Sequence, residues 1–170
     1  MSVVFSVGIS GCGKSTYYYN NLKDTHELIE PDLIRKEFGD INDQSRNNEV
    51  FVTAYRRLDK LLKEGKNVYF SATNLNLKSI KKIVRIAKDY TSDITCVIFK
   101  DSYDWELCLA RVRTDLKNGV DRSNSDITKT QEDGTTIHRL EEMCNSFKSL
   151  MDNDEFKDFV TEQGIKIIIV

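Results

Sequence analysis

Apolar residues recur along this chain in two rhythms. Five short runs of branched and aromatic residues read as strands: Val3-Val4-Phe5-Ser6-Val7, His26-Glu27-Leu28-Ile29-Glu30, Asn67-Val68-Tyr69-Phe70-Ser71, Ile94-Thr95-Cys96-Val97-Ile98-Phe99 and Ile165-Lys166-Ile167-Ile168-Ile169-Val170. Between them apolar positions fall at i, i+3, i+4 spacing, the mark of a helix with one buried face. Phe51, Ala54, Tyr55, Leu58, Leu61 and Leu62 form one such face, ended by Gly65. Ile80, Ile83, Val84, Ala87 and Tyr90 form a second within 77–90. Trp105, Leu107, Cys108, Leu109 and Val112 mark a helix over about 103–116, and Ile137, Leu140, Met143, Cys144 and Phe147 mark one over 135–151. Shorter helices are expected at 15–23 and, after Pro31, at 32–38. The polar stretches 39–48 and 117–134 read as loops, the second as a mobile one. Strands alternating with helical segments predict βαβ units, and so an α/β fold with a parallel sheet covered on both faces. The pattern shows no internal repeat, and 170 residues predict a single domain with a real core.

Composition changes this picture little. Hydrophobic residues make up 39 % and charged residues 31 % of the chain, and a single Pro with eight Gly leaves no low-complexity segment. A net charge of −2 gives no field that recruits nucleic acid over the whole surface, although an enzyme acting on a strand end needs only a local basic patch. Cys12, Cys96, Cys108 and Cys144 form no C-x-x-C pair and read as buried free thiols. The first strand begins at once, without a basic leader, and no apolar run approaches the ~18 residues of a membrane span. The expectation is a protein without a membrane partner in a reducing, cytoplasmic setting, a host cytoplasm if the chain is viral.

Candidate chemistry starts between the first strand and the first helix. Gly8-Ile9-Ser10-Gly11-Cys12-Gly13-Lys14-Ser15-Thr16 reads G-x-x-x-x-G-K-[ST] without a mismatch. Glycines let backbone N–H groups approach phosphates, and the helix N-terminus adds its partial positive charge. Gly8, Ser10, Gly11, Cys12, Gly13, Lys14, Ser15 and Thr16 are therefore the candidate contacts to ATP or another nucleoside triphosphate. Lys14 would reach the β- and γ-phosphates, and the Ser15 hydroxyl would ligate Mg²⁺.

Two further clusters lie where an open α/β sheet places its ligands, beyond the carboxyl ends of the strands. Asp32 and Arg35 stand three apart after the second strand and point the same way on a helix. A carboxylate that accepts a hydroxyl proton beside a cation that fixes a charged acceptor suits a kinase. A helix start with an everyday surface ion pair accounts for the same residues. Arg111, Arg113, Lys117 and Arg122 could deliver charge to a transferring phosphoryl group, or could only complement a helix C-terminus. The stripe Lys78, Lys81, Lys82, Arg85, Lys88 reads as a solvated helix face, and Tyr17, Tyr18 and Tyr19 as packing beneath the cradle.

With these residues in view, the chain resembles the P-loop kinase domain of polynucleotide 5′-hydroxyl kinases of T-even phages and bacterial RNA repair. The resemblance runs from Val3 to about Leu150, on the glycine loop, on D-x-x-R at Asp32–Arg35, on T-N-L-N at Thr73–Asn76 and on a basic lid around 111–117. It implies a three-layer sandwich with a central, mostly parallel sheet and a C-terminal lid region at about 111–134. It implies that Lys14 and Ser15 hold phosphates and Mg²⁺, and that Asp32 is the general base on a 5′-hydroxyl. Arg35 would bind the acceptor-strand phosphate, with Asn74 on the same side, and Arg113 with Lys117 would clamp the donor phosphates. Two departures stand out. Ala72 replaces the aspartate that precedes T-N in the phage enzymes and helps to hold the acceptor-side arginine, which leaves the orientation of Arg35 open, and Lys117 replaces the second lid arginine, a place that Arg111 or Arg122 could take. The chain carries no phosphatase or ligase segment, so the resemblance confines any repair role to the kinase step.

The leading expectation is an ATP- and Mg²⁺-dependent transfer of the γ-phosphate to a 5′-hydroxyl end of DNA or RNA. The alternative keeps the fold and changes the acceptor to a nucleoside, nucleotide or nucleotide sugar, as in zeta-type toxins that share D-x-x-R; Ala72 leans that way. A nucleotide-binding module without an acceptor is a third reading, and has no need of Asp32 or of a basic lid. Oligomeric state is not legible.

Overall fold

The computed structural model describes all 170 residues, Met1–Val170. Its centre is a five-stranded sheet made of β1 (Val3–Val7), β2 (Glu27–Ile29), β3 (Val68–Phe70), β4 (Ile94–Ile98) and β7 (Lys166–Ile169), in the order β2-β3-β1-β4-β7. Every pairing is parallel, with Val3 opposite Val68 and Ile94, and Thr95 opposite Lys166. Parallel neighbours need crossovers, and the crossovers here are α1 (Lys14–Asn21), α2 (Pro31–Glu37), α3 (Asn47–Lys63), α4 (Leu77–Lys88), α5 (Trp105–Lys117), α6 (Arg139–Met151) and α7 (Asp154–Glu162).

All five residues of β1 are buried, so both faces of the sheet are covered at its middle. Tyr69 stacks on Tyr18 of α1 at 5.7 Å, whereas Phe70 stacks on Tyr55 of α3 at 5.7 Å. Successive strand residues point to opposite faces, which puts α1 and α3 on opposite sides of the sheet. The tyrosine run divides accordingly, with Tyr18 buried beneath the loop and Tyr19 exposed. All four cysteines are free and buried. No helix is long and apolar enough to cross a membrane.

Several expectations need correction. The helix expected from 135 begins at Arg139, because residues before it pair as an antiparallel hairpin of β5 (Thr128–Thr130) and β6 (Thr136–His138). β-branched Thr136 and Ile137 suit a strand, and Gly134 turns the hairpin with a left-handed φ of 81°. The stretch 117–134, read as a mobile loop, therefore holds ordered structure, and the lid expected at 111–134 starts inside α5 and ends inside the hairpin. Helix α7, absent from the sequence reading, is capped by Asn153, whose side chain accepts from the Phe156 N–H at 3.2 Å. The basic stripe of α4 is not only a solvated face. Lys81 pairs with Glu155 at 2.6 Å and Lys88 donates to the Gln163 carbonyl at 2.7 Å, fastening α7, while Lys82 lies 4.3 Å over the Tyr55 ring. The last strand closes one edge of the sheet with Ile167, Ile168 and Ile169 exposed.

Candidate active site

The carboxyl ends of β1, β2 and β3 open on a cleft of 1170 Å³ lined by the glycine loop, α2 and the segment after α5. The chain runs from β1 to one side of the sheet and returns to the other, so the loop after β1 sits where the strand order reverses.

That loop is shaped by missing side chains. A Cβ on Gly8 would stand 2.6 Å from Cys12 Sγ, and one on Gly11 would stand 2.4 Å from the Cys108 carbonyl oxygen. Gly11 and Gly13 hold left-handed φ values of 81° and 106°. The Gly8 N–H donates to the Thr73 carbonyl at 3.0 Å and the Ile9 N–H to Ser102 Oγ at 3.1 Å, which ties the loop to its neighbours. Lys14 Nζ donates to the carbonyls of Ile9 at 2.6 Å and Gly8 at 3.2 Å, over the mouth of the loop. Ser10, Gly11, Cys12, Gly13, Lys14, Ser15 and Thr16 all line the cleft; Gly8 lies beneath it, as a spacer.

The opposite wall is the start of α2, where Pro31 occupies the first turn. Arg35 is 5 % exposed. Its Nη1 donates to Asp32 Oδ1 at 2.5 Å and its Nη2 to Asn47 Oδ1 at 2.8 Å, while its buried Nε has no partner. Asn47, at the start of α3, thus fixes the guanidinium together with Asp32. The second oxygen of Asp32 accepts from Ser123 Oγ at 2.7 Å. Glu30, at the end of β2, lines the same wall, and burial pushes its carboxyl up to about 7; Asp32 adds to the rise, while Lys14 and Arg122 oppose it.

The cations that reach the cleft are Lys14, Arg35, Arg111, Arg122 and Arg139. Arg113 and Lys117, the cations expected to clamp donor phosphates, do not line it. Helical phase explains the difference. Arg111 and Asp115, four apart, share a side of α5 that lines the cleft, and Arg113 and Lys117, two positions on in each case, lie on the outer side. Arg111 pairs with Asp101 at 2.8 Å, and Arg122 bridges Asp115 at 2.5 Å and Ser10 Oγ at 2.9 Å. Arg113 instead grips Asp126 through two bonds of 2.7 and 3.2 Å. Asp126 also meets His138 Nε2 at 3.1 Å, and the Trp105 ring stacks on His138 at 5.3 Å. Asn74 does not line the cleft either: it is buried with a positive φ of 47°, and its amide donates to the Ser6 carbonyl at 2.8 Å, which braces the turn after β3.

A family profile described as an AAA domain matches residues 3–142. The chain belongs to that family. No curated protein matches it. Among solved structures, this AAA-family chain is similar to one in the Pnkp1/Rnl/Hen1 RNA repair complex, with a TM-score of 0.67 and 19 % identity over 93 % of its length. A second structure of a Pnkp1/Rnl/Hen1 complex matches with a TM-score of 0.54 and 25 % identity over 81 % of the chain. In both cases the match spans 45 % of the other chain. A protein from Chloroflexus aurantiacus described as a candidate kinase matches with a TM-score of 0.58 and 10 % identity, over 99 % of this chain and 87 % of the other. The parallel sheet with its flanking helices and glycine loop is that of a P-loop kinase-like domain, a fold that implies a bound nucleotide.

Sequence reasoning missed Glu30, Asn47, Ser123 and Arg139 in this AAA-family cleft. Glu30 had a readable signal, since it ends a strand at the sheet edge where ligands bind. Asn47, Ser123 and Arg139 had none. Each arrives from 12 or more residues away through packing that no local pattern encodes.

Proposed function

We propose that this AAA-family protein transfers the γ-phosphate of ATP, with Mg²⁺, to a 5′-hydroxyl end of DNA or RNA. The observation that carries the reading is Arg35, a guanidinium buried at the acceptor wall, held by Asp32 and Asn47 and with Nε unpartnered. A buried cation with an unused donor in an open cleft suits an anion on the acceptor, such as the phosphate next to a terminal hydroxyl.

The residues fit the nucleotide and metal. The glycine loop leaves a cradle without side chains, and Lys14 Nζ stands over it on carbonyl acceptors that a triphosphate would replace. Side chains alone hold no cluster of three or more His, Cys, Asp or Glu suited to a metal, so Ser15 would bind Mg²⁺ together with nucleotide phosphates. That ion would supply charge that neutralises the triphosphate. Asp32 accepts the hydrogen bond of the attacking hydroxyl and takes its proton. Arg35 orients the acceptor, and Lys14, Arg111 and Arg122 stabilise the charge that spreads over the equatorial oxygens. The similarity to chains of RNA repair complexes supports a polynucleotide acceptor. Ala72 favours the second reading, a small acceptor such as a nucleoside, because the wall is less charged there.

Labelled γ-phosphate from ATP, offered to a 5′-hydroxyl DNA oligonucleotide, the same RNA and a nucleoside pool, tests this. Label on oligonucleotides, absent with Lys14→Ala, is expected. Label on nucleosides alone would replace the polynucleotide reading with the small-acceptor one.

A further inference from the structure

The segment between Gly119 and Asp126 crosses the cleft as a strap, and it carries a hydroxyl to the place where the proposed reaction needs one. Ser123 Oγ donates to Asp32 Oδ2 at 2.7 Å. That is the bond an attacking hydroxyl makes before it gives up its proton to a carboxylate.

Residues on both sides hold Ser123 there. Arg122 reaches Ser10 Oγ in the glycine loop at 2.9 Å, and the buried Ser125 meets the same oxygen at 2.7 Å. On the other wall, the Asn124 N–H donates to Asn42 Oδ1 at 2.8 Å, and Asp121 pairs with Lys36 of α2. The hydroxyl is thereby pinned between the loop suited to donor phosphates and the carboxylate suited to its proton. Ser125 makes a useful contrast, because its hydroxyl faces another hydroxyl and has no base.

We propose that Ser123 is a built-in acceptor: with ATP bound and no substrate in the cleft, the chain phosphorylates its own Ser123. The proposal rests on the phosphotransferase reading and on the place of Asp32 in it. Ser123 Oγ forms a bond to the γ-phosphorus, and the bond from that phosphorus to the β–γ bridging oxygen breaks. The hydroxyl proton passes to Asp32, and ADP is released. The phosphoserine then carries close to two negative charges against the Asp32 side of the cleft, which drives the strap away from that carboxylate and clears it for an external hydroxyl. A 5′-hydroxyl end competes with Ser123 for the same oxygen.

The test incubates the full chain with γ-labelled ATP and Mg²⁺ without an acceptor, maps the label by mass spectrometry, and runs a parallel arm with a 5′-hydroxyl oligonucleotide. The expected result is label on Ser123, formed at a rate per chain that does not depend on protein concentration. It is lost in Ser123→Ala and in Lys14→Ala, kept in Ser123→Thr, and slowed by the oligonucleotide. Ser123→Ala should keep the circular dichroism and ATP affinity of the natural chain, so that loss of label is not loss of fold. Label that persists in Ser123→Ala overturns the proposal. A labelled oligonucleotide with an unlabelled chain also overturns it, and leaves the phosphotransferase reading standing. Label on Ser123 with none on any added acceptor upholds it and removes the polynucleotide reading. No label anywhere removes both.

Discussion

Between Gly8 and Thr16 the chain is shaped by what its glycines lack, and between Gly119 and Asp126 by what its side chains reach. In the loop, two left-handed φ values and the absent Cβ atoms of Gly8 and Gly11 create the cradle, and Lys14 follows within the same local turn. In the strap, position comes from partners 13 to 115 residues away: Arg113 to Asp126, Arg122 to Ser10, Ser123 to Asp32 and Ser125 to Ser10. The first region keeps its shape through backbone geometry and core packing. The second is held by part-buried polar contacts on the cleft wall, each of modest net worth, and is suited to opening when a substrate competes for them.

That difference predicts a ranking of mutational effects. Lys14→Ala removes charge directed at the transferring group and should lower kcat by roughly 10³-fold, measured by phosphate transfer with the fold checked by circular dichroism. Asp32→Asn leaves Arg35 a hydrogen-bond acceptor but removes the base, with an expected loss of roughly 10²-fold in kcat. Unchanged turnover in that variant would show that the base lies elsewhere. Arg122→Ala and Arg113→Ala sharpen the comparison within the lid. The first should cost roughly tenfold or more in kcat, whereas the second, on the outer face of α5, should change transfer by less than about threefold and act only on the Asp126–His138 contacts.

The smallest effect concerns stability. Folding raises the Glu30 carboxyl from its ordinary 4.5 to about 7, so the unfolded chain binds fewer protons than the folded one between those values. Stability on this account falls as pH rises through that window and stays low above it. Glu30→Gln should match the natural chain in urea unfolding near pH 4 and exceed it at pH 8 by on the order of 1 kcal/mol, a discounted figure because the site opens on solvent. Equal stabilities at both pH values would mean that Glu30 is solvated like an ordinary surface carboxylate.

How much of this was legible in the sequence follows the same division. The five strands and the loop could be read because β1 is an unbroken apolar run and the glycine motif has fixed spacing. Asp32 and Arg35 could be read because a three-residue spacing on one helix is local. The hairpin at 128–138 was hidden in a polar stretch whose strands, Thr128–Thr130 and Thr136–His138, are only three residues each and mostly exposed. The lid cations Arg113 and Lys117 came from the resemblance, whereas which side chains of α5 line the cleft depends on helical phase, set by the face of α5 that packs on Gly11. Ala72 pointed to a loosened Arg35; Asn47 holds it instead, from a helix start that the polar pattern of 39–48 did not reveal.

The central claim is that Arg35 reads a phosphate next to the attacked hydroxyl, and the most direct measurement compares kcat/KM for a nucleoside 3′-monophosphate with that for the bare nucleoside. A charge-assisted hydrogen bond to a buried guanidinium should favour the 3′-phosphate by roughly 10- to 100-fold, and Arg35→Gln should bring the ratio close to one. A natural chain that treats both acceptors alike, or an Arg35→Gln variant that keeps the preference, would contradict the account and point to a small, uncharged acceptor.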